Sequence, residues 1–148
     1  MYDFTQNDFQ RRSADWFDFR RLNSRALDVN HRKVLLDQGS LTTRLVKASN
    51  NTFSVRVLSQ RWGRAEASEA KLIGCKPTHR CLVREVLLCC GDEPWVYARS
   101  ILPVNTLCGK LGFLKRIGTK PLGHLLFNTQ GLKRGNFQLA YASPQAFR

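Results

Sequence analysis

The chain has 148 residues, of which 43% are hydrophobic and 10% aromatic, so it is long enough to bury the core of one domain and too apolar to be disordered. Its 24 lysines and arginines exceed its 11 aspartates and glutamates, which gives a formal net charge of +13. This positive excess favours an anionic partner, which is a nucleic acid, a membrane surface or a small polyanionic metabolite.

The first third of the chain predicts two short helices after a loosely structured lead-in that covers residues 1–30. The apolar run in residues 31–37 ends before Gly39, and glycine is favoured just after the C-terminus of a helix. Ser40 is a suitable N-cap for a second helix at residues 41–48, whose apolar side chains repeat at helical spacing. We therefore expect two helices joined by a tight turn.

Strands are expected in the middle of the chain. Residues 52–58 alternate between apolar and polar side chains, which predicts a strand, and residues 65–73 favour a short helix. A hairpin follows, because residues 81–90 and 95–102 are rich in β-branched and aromatic side chains and residues 91–94 have turn composition. An antiparallel pair of strands should form there.

The remaining elements complete the prediction of fold class. Residues 106–117 predict a helix, residues 121–127 a short helical segment, and residues 133–143 a last strand with alternating apolar side chains. Helices that cluster early and strands with short connections later indicate an α+β domain with an antiparallel sheet.

Several classes of site are excluded by the absence of their motifs. The sequence has no glycine-rich phosphate loop, no Gly-x-Ser-x-Gly and no His-Glu-x-x-His, and its three histidines are scattered, which argues against a zinc site. Five cysteines, with Cys89 and Cys90 adjacent, are typical of reduced thiols. With no apolar run of membrane-spanning length and an acidic rather than basic N-terminus, we expect a cytoplasmic protein.

Two arginines lie inside the otherwise apolar strands of the predicted hairpin. Arg84 shares a strand face with apolar neighbours, so it is either an ion-paired structural residue or an arginine that binds a carboxylate in a mostly apolar pocket. Arg99 has the same two interpretations. Trp95, which follows the turn, is expected to pack in the core.

Four blocks of the sequence resemble the chorismate pyruvate-lyase family, whose members make 4-hydroxybenzoate for ubiquinone. These blocks read LVREVLLC at residues 82–89, GDEPW at 91–95, PVNTL at 103–107 and GTKPLGHLLF at 118–127. The segment LLDQGSLT at residues 35–42 also fits the family. Because the order and spacing of the separate blocks agree, the resemblance is specific.

The resemblance implies an α+β fold with one antiparallel sheet of about six strands, and helical flaps over a buried site. It assigns the product's carboxylate to Arg84 and implies that backbone groups around Leu41 and Leu122 complete the pocket. Arg99 is a candidate for electrostatic support of the substrate's second carboxylate. The resemblance places the lyase-like domain at residues 31–148.

The implied reaction eliminates pyruvate from chorismate and leaves 4-hydroxybenzoate. Since aromatisation drives the elimination, the protein needs mainly to hold a dianion in a reactive geometry and to manage one proton. The resemblance implies no metal and no organic cofactor, a monomer, and a small-molecule partner rather than a specific nucleic acid or a membrane.

The sequence departs from the family at its C-terminal end. The family carries a glutamate on a final strand that reaches the far end of the ligand, and this chain has no acidic residue after Glu93. We therefore expect the domain to lack that final strand. The alternative functions are a homologue that binds a small aromatic carboxylate without converting it, and a nucleic-acid-binding protein suggested by the net charge.

Overall fold

The computed structural model describes residues 16–18 and 28–140. Its elements fall into two compact units, the larger of which spans residues 39–132. The larger unit contains α2 (Leu41–Ala48), β2 (Phe53–Arg64), α3 (Ala67–Ile73), β3 (Arg80–Cys90), β4 (Glu93–Pro103), two 3₁₀ helices (Val104–Leu107 and Gly109–Arg116) and α4 (Leu122–Phe127). The smaller unit contains β1 (Phe17–Asp18), α1 (Val29–Leu35) and β5 (Gln138–Leu139).

The α+β class and the antiparallel pairing are confirmed, but the single six-stranded sheet is wrong for the described residues. A three-stranded sheet has the order β2-β3-β4, and a separate two-stranded sheet pairs β1 with β5. The predicted last strand at residues 133–143 is ordered as a strand only over Gln138–Leu139, which pairs with Phe17–Asp18. Residues 141–143 of that prediction, and most of the predicted lead-in, lie outside the described residues.

The three strands of the larger sheet are 12, 11 and 11 residues long and pair in antiparallel register along most of their length. Gly91 begins the turn between β3 and β4 with φ of +61°, as a type II′ hairpin turn requires at its first loop position. Leu88 pairs with Val96, but the next residue of β3, Cys89, pairs with Pro94, so β4 has one extra residue at this point. Trp95 is the extra residue on β4 at this bulge, and it is 46% exposed, so the prediction that it packs in the core is wrong.

The helix α2 begins and ends where the sequence predicts. The Ser40 side chain accepts a hydrogen bond from the Thr43 amide at 3.3 Å, which satisfies one of the amides that an N-terminus leaves free. After the helix, Asn50 and Asn51 adopt positive φ, a conformation that asparagine tolerates better than most residues. They turn the chain directly into β2.

The predicted helix at residues 106–117 is replaced by two 3₁₀ helices. Cys108 separates the two, and Gly109, the first residue of the second helix, has φ of +66°. A left-handed residue cannot continue a right-handed helix, and a further glycine, Gly112, weakens the α-helical alternative.

The two faces of the three-stranded sheet are covered by different elements. One face packs against α2, the 3₁₀ helices and α4 through two apolar clusters, one around Leu82, Leu107 and Leu114 and the other around Leu45 and Val86. The opposite face packs against α3 through a third cluster. Among the described residues, no helix has both the length and the apolar composition needed to span a membrane.

Candidate active site

Arg84 lies at the centre of β3, on the face that packs against the 3₁₀ helices and α4, and the residue is only 2% exposed. Its strand neighbours on that face, Leu82 and Val86, belong to the two apolar clusters. Strand alternation places all three side chains on one face. The structure therefore buries a guanidinium between two patches of hydrophobic core.

The partners of the Arg84 guanidinium are neutral oxygens. Nη1 donates to Oε1 of Gln60 at 2.9 Å, and Nη2 donates to the carbonyls of Gly118 at 2.8 Å and Lys120 at 3.5 Å. Gln60 is itself fixed, because its Nε2 donates to the Lys115 carbonyl at 2.9 Å. No carboxylate of the described residues forms an ion pair with Arg84.

Burial lowers the pKa of the Arg84 guanidinium, because desolvation penalises its charged form. An arginine remains protonated at neutral pH despite such a shift. A buried cation with only neutral partners is costly, so an anion that reaches Arg84 would relieve part of that cost. The interpretation of Arg84 as a partner of a protein carboxylate therefore gains no support from the described residues.

Leu41 and Leu122 are the first residues of α2 and α4. At this position the backbone amide has no acceptor within its own helix. The two helices pack together, since a side-chain carbon built on Gly123 would lie 3.9 Å from Oγ1 of Thr42. The structure thus brings together the segments that contain Leu41 and Leu122, and Arg84 bonds to the loop that leads into α4.

A cleft with a volume of about 630 Å³ opens beside these segments. Four of its lining residues are apolar: Val46, Phe53, Val55 and Pro121. Four carry hydroxyl groups: Thr42, Thr43, Ser54 and Thr119. The others are Lys47, Asn51 and His124. This lining has no acidic side chain and suits a small apolar ring that carries anionic groups.

Arg84 adjoins the cleft through its loop. Thr119 lines the cleft, and the carbonyls of the residues on both sides of it, Gly118 and Lys120, accept hydrogen bonds from the guanidinium. Arg84, Leu41 and Leu122 are not among the residues that line the cleft, so the candidate site consists of the cleft and the arginine behind its Thr119 wall.

Arg99 lies on the other face of the sheet. It is paired across the strands with Glu85 rather than with Arg84, and it forms ion pairs with Glu69 of α3 at 2.8 Å and with Glu85 at 3.1 Å. Burial opposes its charge, but hydrogen bonding and attraction to these carboxylates outweigh burial and raise the pKa of Arg99. The geometry favours the structural interpretation of this residue.

Glu85 forms hydrogen bonds with Ser59, Tyr97 and Arg99. These contacts make the stability of the fold depend on pH. Burial raises its pKa, but hydrogen bonds from Tyr97 at 2.7 Å and Ser59 at 3.0 Å, together with Arg99, outweigh burial and leave the pKa below 4.5. A depressed carboxyl pKa stabilises the fold above the unfolded-state value, and this contribution disappears as the pH falls through the folded-state pKa.

We therefore expect the urea midpoint of the protein to fall as the pH is lowered below about 4.5, the ordinary glutamate value. In Glu85→Gln the midpoint should be lower at pH 7 and should depend less on pH in that range. Urea titrations between pH 3 and pH 7 test this, with Glu93→Gln, a change at an exposed glutamate, as the control. Equal pH dependence in the two variants would contradict the assignment.

Some residues of the site could not be anticipated from the sequence. Gln60 orients Arg84 and Lys47 lines the cleft, but neither stands in a motif. A bulge between Val57 and Ser59 shifts the register of β2, so strand alternation counted from Phe53 does not identify Gln60. All five cysteines are free thiols, and the described residues contain no group of three potential metal ligands.

Comparison with known proteins identifies the family. A sequence model of the family described as chorismate lyase matches residues 10–147, which is most of the chain. The chain therefore belongs to the chorismate lyase family, and the resemblance seen in the four sequence blocks is confirmed.

Individual relatives agree with this result. The chain is 38% identical over 114 residues to a probable chorismate pyruvate-lyase of Methylococcus capsulatus, with 77% of this chain and 70% of that protein aligned. A protein of the same description from Pseudoalteromonas atlantica is 43% identical over 74% of this chain and 57% of its own length. Probable chorismate pyruvate-lyase 2 of Pseudomonas entomophila is 36% identical, with 84% of this chain and 67% of that protein aligned. These alignments span between 57% and 70% of the relatives' lengths.

Proposed function

We propose that this chain is a chorismate pyruvate-lyase, which eliminates pyruvate from chorismate and yields 4-hydroxybenzoate as a precursor of ubiquinone. Membership of the chorismate lyase family supports the reaction class. The observation that carries the proposal is the buried Arg84, which has only neutral partners among the described residues and adjoins an apolar cleft. We also propose that the activity belongs to a monomeric, cytoplasmic domain at residues 31–148.

Arg84 is proposed to bind the ring carboxylate. Its guanidinium has five N–H donors, of which the contacts to Gln60, Gly118 and Lys120 use at most three. The planar fork of the side chain suits bidentate binding of a carboxylate, and such charge-assisted bonds are strongest away from water. Binding would replace neutral partners of a buried cation with an anion.

The amides of Leu41 and Leu122 are proposed to complete this carboxylate site. Each is the first amide of its helix, and the partial positive charge of a helix N-terminus favours an anion. Packing of Thr42 against Gly123 holds the two helix starts near each other.

The reaction breaks a bond between a ring carbon and the ether oxygen and removes one proton from the adjacent ring carbon. The electron pair of the broken carbon–oxygen bond leaves with the enolpyruvate oxygen, and the electron pair of the broken carbon–hydrogen bond completes the aromatic ring. The enolpyruvate takes up one proton on its methylene carbon and becomes pyruvate, so the reaction involves no net gain or loss of protons. Because aromatisation favours the products, the main task of the site is to hold the ring in one orientation and exclude water. The four apolar residues that line the cleft supply part of such surroundings.

The proposal is tested by incubating the purified chain with chorismate. We expect 4-hydroxybenzoate, followed by its ultraviolet absorbance, and pyruvate, measured with lactate dehydrogenase, in equal amounts and in proportion to protein concentration. Chorismate in buffer alone measures the spontaneous background. Tight binding of 4-hydroxybenzoate without pyruvate formation would instead identify a carboxylate-binding protein that does not turn chorismate over.

A further inference from the structure

We infer that Lys47 binds the second carboxylate of a dianionic substrate whose ring carboxylate is held by Arg84. The inference rests on the proposed function, because it concerns a ligand that occupies the same site. It assigns to the cleft a preference for dicarboxylates over monocarboxylates, and it assigns that preference to one lysine.

Lys47 lies in the last turn of α2 and lines the cleft. Thr43 and Lys47 are four residues apart, so they lie on one face of the helix, and both line the cleft together with Val46. Lys47 is exposed, and no carboxylate of the described residues pairs with it. Its ammonium group is therefore available to a ligand.

The chemistry of the cleft fits an apolar ring with more than one anionic group. Phe53, Val55 and Pro121 offer apolar contacts to a ring, while hydroxyl groups such as that of Thr43 donate hydrogen bonds. No lining residue is acidic, so nothing in the wall repels an anion. The volume of about 630 Å³ lies within the usual range for small-molecule sites.

Lys47 lines the cleft, whereas Arg84 lies behind the wall that contains Thr119 and is not itself a lining residue. Arg84 adjoins the wall that contains Thr119, through hydrogen bonds to Gly118 and Lys120. Lys47 projects from α2, which forms another wall. Arg84 is buried and held by neighbours, whereas a lysine ammonium sits on a flexible stem. This arrangement suits one fixed carboxylate on a ring and a second on a rotatable side arm.

The test compares two unreactive ligands by isothermal titration calorimetry. The dicarboxylate 3-(carboxymethoxy)benzoate has a ring carboxylate and, at the ring position from which the ether leaves in the proposed reaction, a second carboxylate on an ether arm. 3-Methoxybenzoate lacks the second carboxylate. We expect the unmodified protein to bind the dicarboxylate more tightly. We expect Lys47→Gln to weaken dicarboxylate binding by about fivefold or more and monocarboxylate binding by less than about twofold.

Lys71→Gln is the matched control, because Lys71 is an exposed lysine on α3 and does not line the cleft. It should leave both affinities unchanged. Equal affinity of the unmodified protein for the two ligands, or equal weakening of both by Lys47→Gln, would overturn this inference and leave the proposed function standing. Failure to bind either ligand would overturn both.

Discussion

Replacing Arg84 with alanine is expected to reduce kcat/KM for chorismate by about 10²- to 10³-fold, the effect typical of losing a buried donor to a charged group in an active site. Arg84 is 2% exposed and lies between two apolar clusters, so water cannot readily replace it as a partner of the carboxylate. The same change should abolish measurable binding of 4-hydroxybenzoate. Rates are followed by product absorbance, and binding by calorimetry.

Two variants separate binding from folding in this experiment. Arg84→Lys keeps the charge but loses the planar fork, so it should retain an intermediate rate. Arg61→Ala, at an exposed arginine on β2, should behave like the unmodified protein. The circular dichroism of Arg84→Ala must match that of the parent protein, because Gln60 and Gly118 also lose a partner. Unchanged kcat/KM in a folded Arg84→Ala protein would remove Arg84 from the site.

Replacing Leu114 with alanine is expected to lower the free energy of unfolding by about 3 kcal/mol. Leu114 is 0% exposed and packs with Leu82, Leu102, Leu107 and Ile117 in the cluster that supports one side of Arg84. Truncation removes apolar contacts and leaves a cavity that the surrounding strand and 3₁₀ helices can fill only in part. Urea denaturation followed by circular dichroism measures the change.

Phe113 provides the control for this substitution, because it is adjacent in sequence but 47% exposed. Phe113→Ala should cost less than about 1 kcal/mol, as is usual for exposed positions. Similar losses for the two variants would show that the cluster around Leu114 does not pack as described. Loss of 4-hydroxybenzoate binding by Leu114→Ala under native conditions would further link this cluster to the site.

Local patterns were sufficient to predict the helix after Ser40 and the hairpin of β3 and β4. In both places side-chain periodicity, capping and turn composition agree with the fold, and the observed α2 has the predicted bounds. Predictions that depended on register or on pairing between distant segments were wrong. Trp95 is exposed because it is the extra residue of a bulge, and a bulge depends on tertiary pairing that strand alternation does not reveal.

The same distinction holds for the candidate site. Arg84 was identifiable because a charged residue on an apolar strand face must be paired or functional, and the structure places it at the centre of the sheet. Arg99 lies on the other face of the sheet because it pairs across the strands with Glu85. This position can be predicted only when the register between β3 and β4 is known. Gln60 and Lys47 carry no sequence signature, and only the folded arrangement brings them to the site.

A crystal structure of the protein with 4-hydroxybenzoate tests most directly whether Arg84 is the carboxylate-binding residue. The ring should occupy the cleft beside Thr119, and its carboxylate oxygens should lie about 2.7–3.0 Å from nitrogens of the Arg84 guanidinium. The amides of Leu41 and Leu122 should point at the same carboxylate. A ligand bound in the cleft with its carboxylate directed away from Arg84, or bound elsewhere on the protein, would contradict the account.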